Sequence, residues 1–230
     1  MSLTANEAKD LIAKLDNPSE ASLLNIVNQV GYDAAGQSAE NATTFFFSGN
    51  VGDLDGKQVN ANKLLSDLSS ELSDSSLAKF NSSHTSEVFD VVNSEVFENK
   101  LTEAFGGDEI KFNEFMDGKP DPTTGIRDLG YFDTLSANLA SNAFGDVVTI
   151  TPQANNLNSV WNRSELPALL DNPKVTSING IPKGKLLAQF EAGTKVGTPI
   201  SFLPKKVWVS HHIISLNFKQ RDKSHGVINK

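Results

Sequence analysis

The residue in this chain with the plainest chemical use is one carboxylate, Glu165, and the side chains spaced before it. It ends the polar run QANNLNSVWNRSE, which follows the β-branched run Val147-Val148-Thr149-Ile150. In open α/β sheets, ligands collect just beyond the carboxyl ends of strands, where the run from 151 to 165 would lie. A carboxylate placed there can stabilise a positive charge developing on a sugar, or form a transient ester with it. The structural use of the same residue is a helix-start charge complementing the dipole.

Other chemistries find little support. A nucleophilic hydrolase needs Ser with His, and the histidines are His84, His211, His212 and His225, none beside a Gly-x-Ser-x-Gly turn. Gly193-Thr194-Lys195 lacks the upstream glycine of a P-loop, and no Gly-x-Gly-x-x-Gly links a strand to a helix. Asp53-Leu54-Asp55-Gly56 echoes a calcium loop but lacks the acidic residue at its far end. His211 and His212 would point to opposite faces of a strand and could not share one ion. With no cysteine, a thiolate metal site and a disulfide framework are both excluded, and no metal is expected.

Several elements must position Glu165. Phe132, Leu135, Leu139, Ala140 and Phe144 recur at helical spacing with Gly145 as a C-cap, and the strand 147–150 follows. Upstream, 4–15 reads as an amphipathic helix. Asn17-Pro18-Ser19-Glu20 reads as a second helix start, with Asn17 as N-cap, and Gly31 ends that helix. The run 43–47 is the first core strand, 57–72 a helix, and Ser82-Ser83-His84-Thr85 precedes one longer helix with Glu87 in its first turn, Val88 to Phe105 on its apolar face and Gly106-Gly107 closing it. The segment 107–130, rich in Gly and Pro, reads as an irregular lid or linker. Strands are expected at 175–178 and 186–190, separated by the Asn179-Gly180 and Pro182-Lys183-Gly184 turns, and near 207–209 and 213–216.

Four pieces in order, TFFFSG, HTSEVFDVV, ASNAFGDVV and NSVWNRSELPALLDNPKV, together resemble the catalytic core of the ADP-ribosyl cyclase / NAD glycohydrolase family, in its bacterial toxin-domain branch. The resemblance spans about 43–178. It implies that Glu165 is the catalytic Glu, that Phe132 opens the helix and with Phe47 holds the nicotinamide ring, and that Lys174-Val175 begins the next strand. It further implies that Phe47 and Ser48 line the nicotinamide pocket, that Glu87 hydrogen-bonds the carboxamide, and that Ser136 donates to phosphate. Trp161 is read as pocket wall or core. Two departures stand out: Phe47 occupies a place more often held by Trp and so lacks an indole N–H, and Val88 replaces a second acid.

The implied reaction is cleavage of the nicotinamide–ribose bond of NAD or NADP, ending in hydrolysis or cyclisation, with NAD as substrate and no cofactor. Nicotinamide is already cationic in NAD and leaves without a proton, so a lone Glu between aromatic walls suffices. The alternatives are protein ADP-ribosylation and a non-enzymatic nucleotide-binding or interaction module.

The expected architecture is α/β and ADP-ribosyl cyclase-like: a helical lobe, 1–120, that lends one core strand (43–48), and an α/β lobe, 121–230, with a small mostly parallel sheet flanked by helices and the catalytic Glu. The cleft would lie between them. A formal charge of −8 argues against nucleic-acid backbone binding. No apolar run is long enough to span a membrane, and the start lacks the apolar stretch of a signal peptide. The lack of cysteine suits a reducing cytosol or passage unfolded through a secretion channel. The expectation is therefore a toxin or effector, secreted or delivered into a target-cell cytosol, or otherwise a cytoplasmic protein. Its partners would be a delivery domain and an immunity protein.

Overall fold

The β-branched and aromatic runs of the sequence meet in a small, mostly parallel sheet. The computed structural model describes residues 2–32, 40, 42–47, 50–54, 57–60, 80–83, 85–150, 158–191, 207–209 and 212–214. Strands β1 (Thr43–Phe47), β4 (Phe80–Asn81), β5 (Gly145–Ile150), β6 (Val175–Ile178) and β7 (Ile181–Pro182) lie in the order β4-β1-β5-β6-β7. β1 pairs in parallel with β4 and β5, and β5 in parallel with β6, while β7 turns back antiparallel on β6. The chain is thus a mixed α/β protein, as expected.

That last turn is Asn179-Gly180, with φ of 51° and 74°, the two positive values a tight hairpin requires. Asn179 also extends the sheet. Its Oδ1 accepts the Thr149 N–H at 2.8 Å, and its own N–H donates to the Val147 carbonyl at 2.8 Å.

Helices α1 (Ala5–Ala13) and α2 (Glu20–Val27) form the expected hairpin, each closed by a capping box: Thr4 with Glu7, and Ser19 with Ser22. The N-cap of α2 is therefore Ser19 and not Asn17. Asn17 has φ of 53°, and Ser19 is the residue in extended conformation whose hydroxyl reaches the N3 amide. α2 ends at Val27, before Gly31, and Val30 bridges in parallel to Leu3.

Several other expectations are corrected. The long helix expected between Thr85 and Gly106 is two, α3 (Glu87–Val92) and α4 (Glu95–Ala104), because Ser94 caps the second by accepting the Phe97 N–H at 3.3 Å. The segment 107–130 is not irregular throughout. It contains α5 (Glu109–Asp117), capped by Asp108, and then a closed loop in which Asp121 N–H donates to the Ile126 carbonyl and Asp128 N–H to the Lys119 carbonyl. Lys57–Asn60 opens no helix but is strand β3, antiparallel to β2 (Asn50–Leu54). The sequence between them, Asp55-Gly56, is a hairpin signal that outweighs a helical spacing begun at Val59. Residues 61–72 lie outside the described residues. The run 186–190 is helical, inside α8 (Lys183–Glu191), because Leu186 and Leu187 turn toward the core at helical rather than alternating spacing. Gly145 opens β5 with φ of 71°, and Ala143 is the C-cap of α6 (Tyr131–Asn142). Strands β8 (Val207–Val209) and β9 (His212–Ile214) pair antiparallel as a separate ribbon.

One apolar cluster draws on both halves of the chain. Ile12, Leu23, Phe46, Val91, Phe97 and Leu101 share it with Leu135, Leu139, Val147, Trp161, Leu169 and Val175. Among the described residues, no helix is long and apolar enough to cross a membrane.

Candidate functional site

Glu165 does not stand at the tip of a polar loop. It ends a wide, π-helical turn, Trp161–Glu165, that runs directly into α7 (Leu166–Asp171). The Leu166 N–H donates five residues back, to the Trp161 carbonyl. Pro167 gives a local reason: it has no N–H to continue the ordinary repeat, and its ring would press on the carbonyl four residues earlier, that of Arg163. Such single wide turns are concentrated at functional sites. Here the turn buries Trp161, Ser164 and Glu165 together.

Glu165 is only 7 % exposed. Burial pushes its carboxyl up to about 8; a hydrogen bond from Ser136 opposes that shift, and the neighbouring charge of Asp133 reinforces it. Its Oε2 has no hydrogen-bond partner among the described residues, and neither has Trp161 Nε1, four residues earlier on the same turn. The Trp161 ring packs 6.5 Å from Phe46, centroid to centroid and tilted by 52°. Because Phe46 pairs with Thr149 near the carboxyl ends of β1 and β5, the wide turn lies close to those strand ends.

Helix α6 supplies the other wall. Asp133 and Ser136 are three residues apart on one helical face, and both are buried. Asp133 Oδ2 accepts the Gly130 N–H at 2.9 Å and Arg163 Nη2 at 2.7 Å, while Oδ1 accepts the Ser164 hydroxyl at 2.6 Å. Arg163 Nη1 reaches on to the Asp128 carbonyl at 3.0 Å. Arg163 and Ser164, consecutive on the turn, are thereby both tied to Asp133 of α6.

The remaining predicted residues divide. Ser136 is at the site, buried beside the Glu165 carboxyl and lowering its pKa against the effect of burial. Trp161 is core packing with an unsatisfied donor. Phe132 is half-buried in the first turn of α6. Phe47 ends β1 opposite Ile150, and strand alternation turns it to the sheet face away from Phe46 and Trp161. It is therefore Phe46, unremarked in the sequence, that meets the turn. Glu87 does not face the site: its Oε2 accepts the Ala5 N–H at 2.5 Å and so serves the first turn of α1. Ser48 lies outside the described residues.

Sequence reasoning also missed Asp133, Arg163 and Asn172. Asp133 had one signal, its position three residues after Gly130, which makes it the N3 partner of that N–H. Asn172 is buried and donates to the Ala140, Ser141 and Ala143 carbonyls at 2.9, 3.0 and 2.8 Å, closing the end of α6 onto α7. Among the described residues, no group of three or more His, Asp or Glu could hold a metal ion. Comparison of the chain with family models, with curated proteins and with solved structures gives no match.

Proposed function

We propose that this protein cleaves the nicotinamide–ribose bond of NAD or NADP, with Glu165 as the reacting carboxyl. The observation that carries the reading is the buried Glu165 Oε2, unpartnered on a wide helical turn beside the ends of the parallel strands. A buried acid kept without a partner costs stability, and such groups gather where chemistry uses them. Near neutral pH the free site holds Glu165 largely protonated. A cationic nicotinamide ring arriving beside it favours the charged form, so binding would expel the proton and leave a carboxylate facing the ribose. That carboxylate then stabilises the oxocarbenium-like sugar as neutral nicotinamide departs.

The order of the sequence pieces, with the ADP-ribosyl cyclase-like topology they imply, supports the same reading. The setting would be a delivered toxin that depletes NAD in a target cell and is held in check by an immunity protein. Expression in a test cell should lower NAD and arrest growth.

The direct experiment incubates purified protein with NAD and quantifies released nicotinamide and ADP-ribose. The parent should release both, and Glu165→Gln should be slower by about 100-fold or more, on the scale of losing one key electrostatic group. Label retained on a protein acceptor would indicate a transferase instead. One feature favours a second reading, a binding or interaction module without turnover: Ser136 already satisfies part of the Glu165 carboxyl, as in a purely structural acid. A folded parent that leaves NAD intact would establish that alternative.

A further inference from the structure

Asp133 lies three residues before Ser136 on α6 and holds the two residues that precede Glu165. We propose that Asp133, clamped by Arg163, Ser164 and the Gly130 N–H, is a positioning residue for Glu165: through the two residues that precede Glu165 it locks the wide turn onto α6 and holds its own carboxyl group against that turn. This inference rests on the reading of Glu165 as the reacting group.

The geometry is specific. Asp133 is 1 % exposed and its salt bridge to Arg163 is 2.7 Å long, so solvent screens the pair little. Arg163 and Ser164 immediately precede Glu165, and both are tied to the one carboxylate. Moving Asp133 would thus move the backbone that carries Glu165. The Ser136 bond alone could not hold that turn, because it reaches the flexible end of the Glu165 side chain.

The charges around Glu165 are few. From α6 it is Asp133 that acts on it. On the turn itself, Arg163 is drawn to Asp133 and to the Asp117 and Asp128 carbonyls. On α7, Asp171 is exposed. Of the Asp133–Arg163 pair it is the negative end that reinforces the shift set mainly by burial. A neighbouring carboxylate disfavours the charged form of an acid, so the Asp133 charge adds to the effect of burial on Glu165.

The test follows the side-chain carboxyl carbon of Glu165 by NMR in the full chain, with its resonance assigned by its absence in Glu165→Gln. In the parent the midpoint is expected near 8. In Asp133→Asn it should fall while staying above the ordinary carboxyl value, because the neighbouring charge is gone and the burial remains. Since that variant leaves Arg163 buried without its carboxylate partner and could fail to fold, Asp133→Asn/Arg163→Gln is measured beside it and should show the same fall. A midpoint unchanged in a folded variant, or an ordinary midpoint in the parent, would overturn the proposal. The titration needs no turnover, so a parent inactive on NAD leaves this result readable and rejects only the reaction. With an active parent, the acidic limb of the kcat/KM profile should move down together with the midpoint, which a merely structural Asp133 would not cause.

Discussion

Two carboxyls a few residues from one another in space meet opposite treatment. Asp133 gathers three donors, one of them the cation Arg163, whereas Glu165 has Ser136 and, among the described residues, one bare oxygen. The consequence for stability has a definite sign. Glu165 is raised from the ordinary 4.5 to about 8, so between those values the unfolded chain has lost a proton that the native protein retains. Stability from this group is therefore fully present below about pH 4.5 and declines as pH rises to about 8, by roughly 1 kcal/mol per unit at most. Glu165→Gln removes that slope. Urea midpoints at pH 5, 6, 7 and 8 should show the variant gaining on the parent at each step, and a constant difference would mean that Glu165 titrates normally.

At the scale of elements, the site depends on how helices end. Asn172 satisfies three carbonyls at the end of α6 while its Oδ1 accepts the Lys174 N–H at 2.9 Å. Asn172→Ala would leave these buried groups unpaired, and a loss of about 2–4 kcal/mol is expected in chemical denaturation. The loop between α5 and α6 is equally constrained. A Cβ at Gly118, where φ is 84°, would meet the Asp128 carbonyl oxygen at 1.9 Å, whereas at Gly125, where φ is 68°, it meets nothing within 4 Å. Gly118→Ala should cost more than about 2 kcal/mol, and Gly125→Ala about 1, since only the second pays backbone strain alone. Gly118→Ala should also disturb Glu165, because Arg163 anchors the turn to the Asp117 and Asp128 carbonyls that flank this loop.

At the scale of the molecule, helices α1 to α4 and the sheet with α6 and α7 share one apolar cluster. Two independent lobes would unfold in two steps, but a shared core predicts one cooperative transition. In a Trp208→Phe background, Trp161 fluorescence reports the wide turn and far-ultraviolet circular dichroism reports the helices. Their urea transitions should coincide. Separate midpoints would show that the residues before about 120 fold apart from the rest.

What the sequence determined by itself was local in origin. Thr43–Phe47, Gly145–Ile150 and Val175–Ile178 are strands because β-branched and aromatic runs of that length suit a buried sheet, and Asn179-Gly180 is a turn because both residues tolerate positive φ. The helices at α1 and α6 follow from apolar spacing and caps within a few residues. Glu165 could be singled out from its place after a strand. Its environment could not, because Asp133–Arg163, Ser136–Glu165 and Phe46–Trp161 join residues about 30 to more than 100 positions apart. The short apolar run at 186–190 fits a strand or a helix equally well in isolation, and it is packing against the core that made it helical. Likewise only the tertiary fold turned Glu87 to the amide of Ala5 and buried Glu165 with an oxygen unpaired, since solvation is a property of the assembled core and not of any segment.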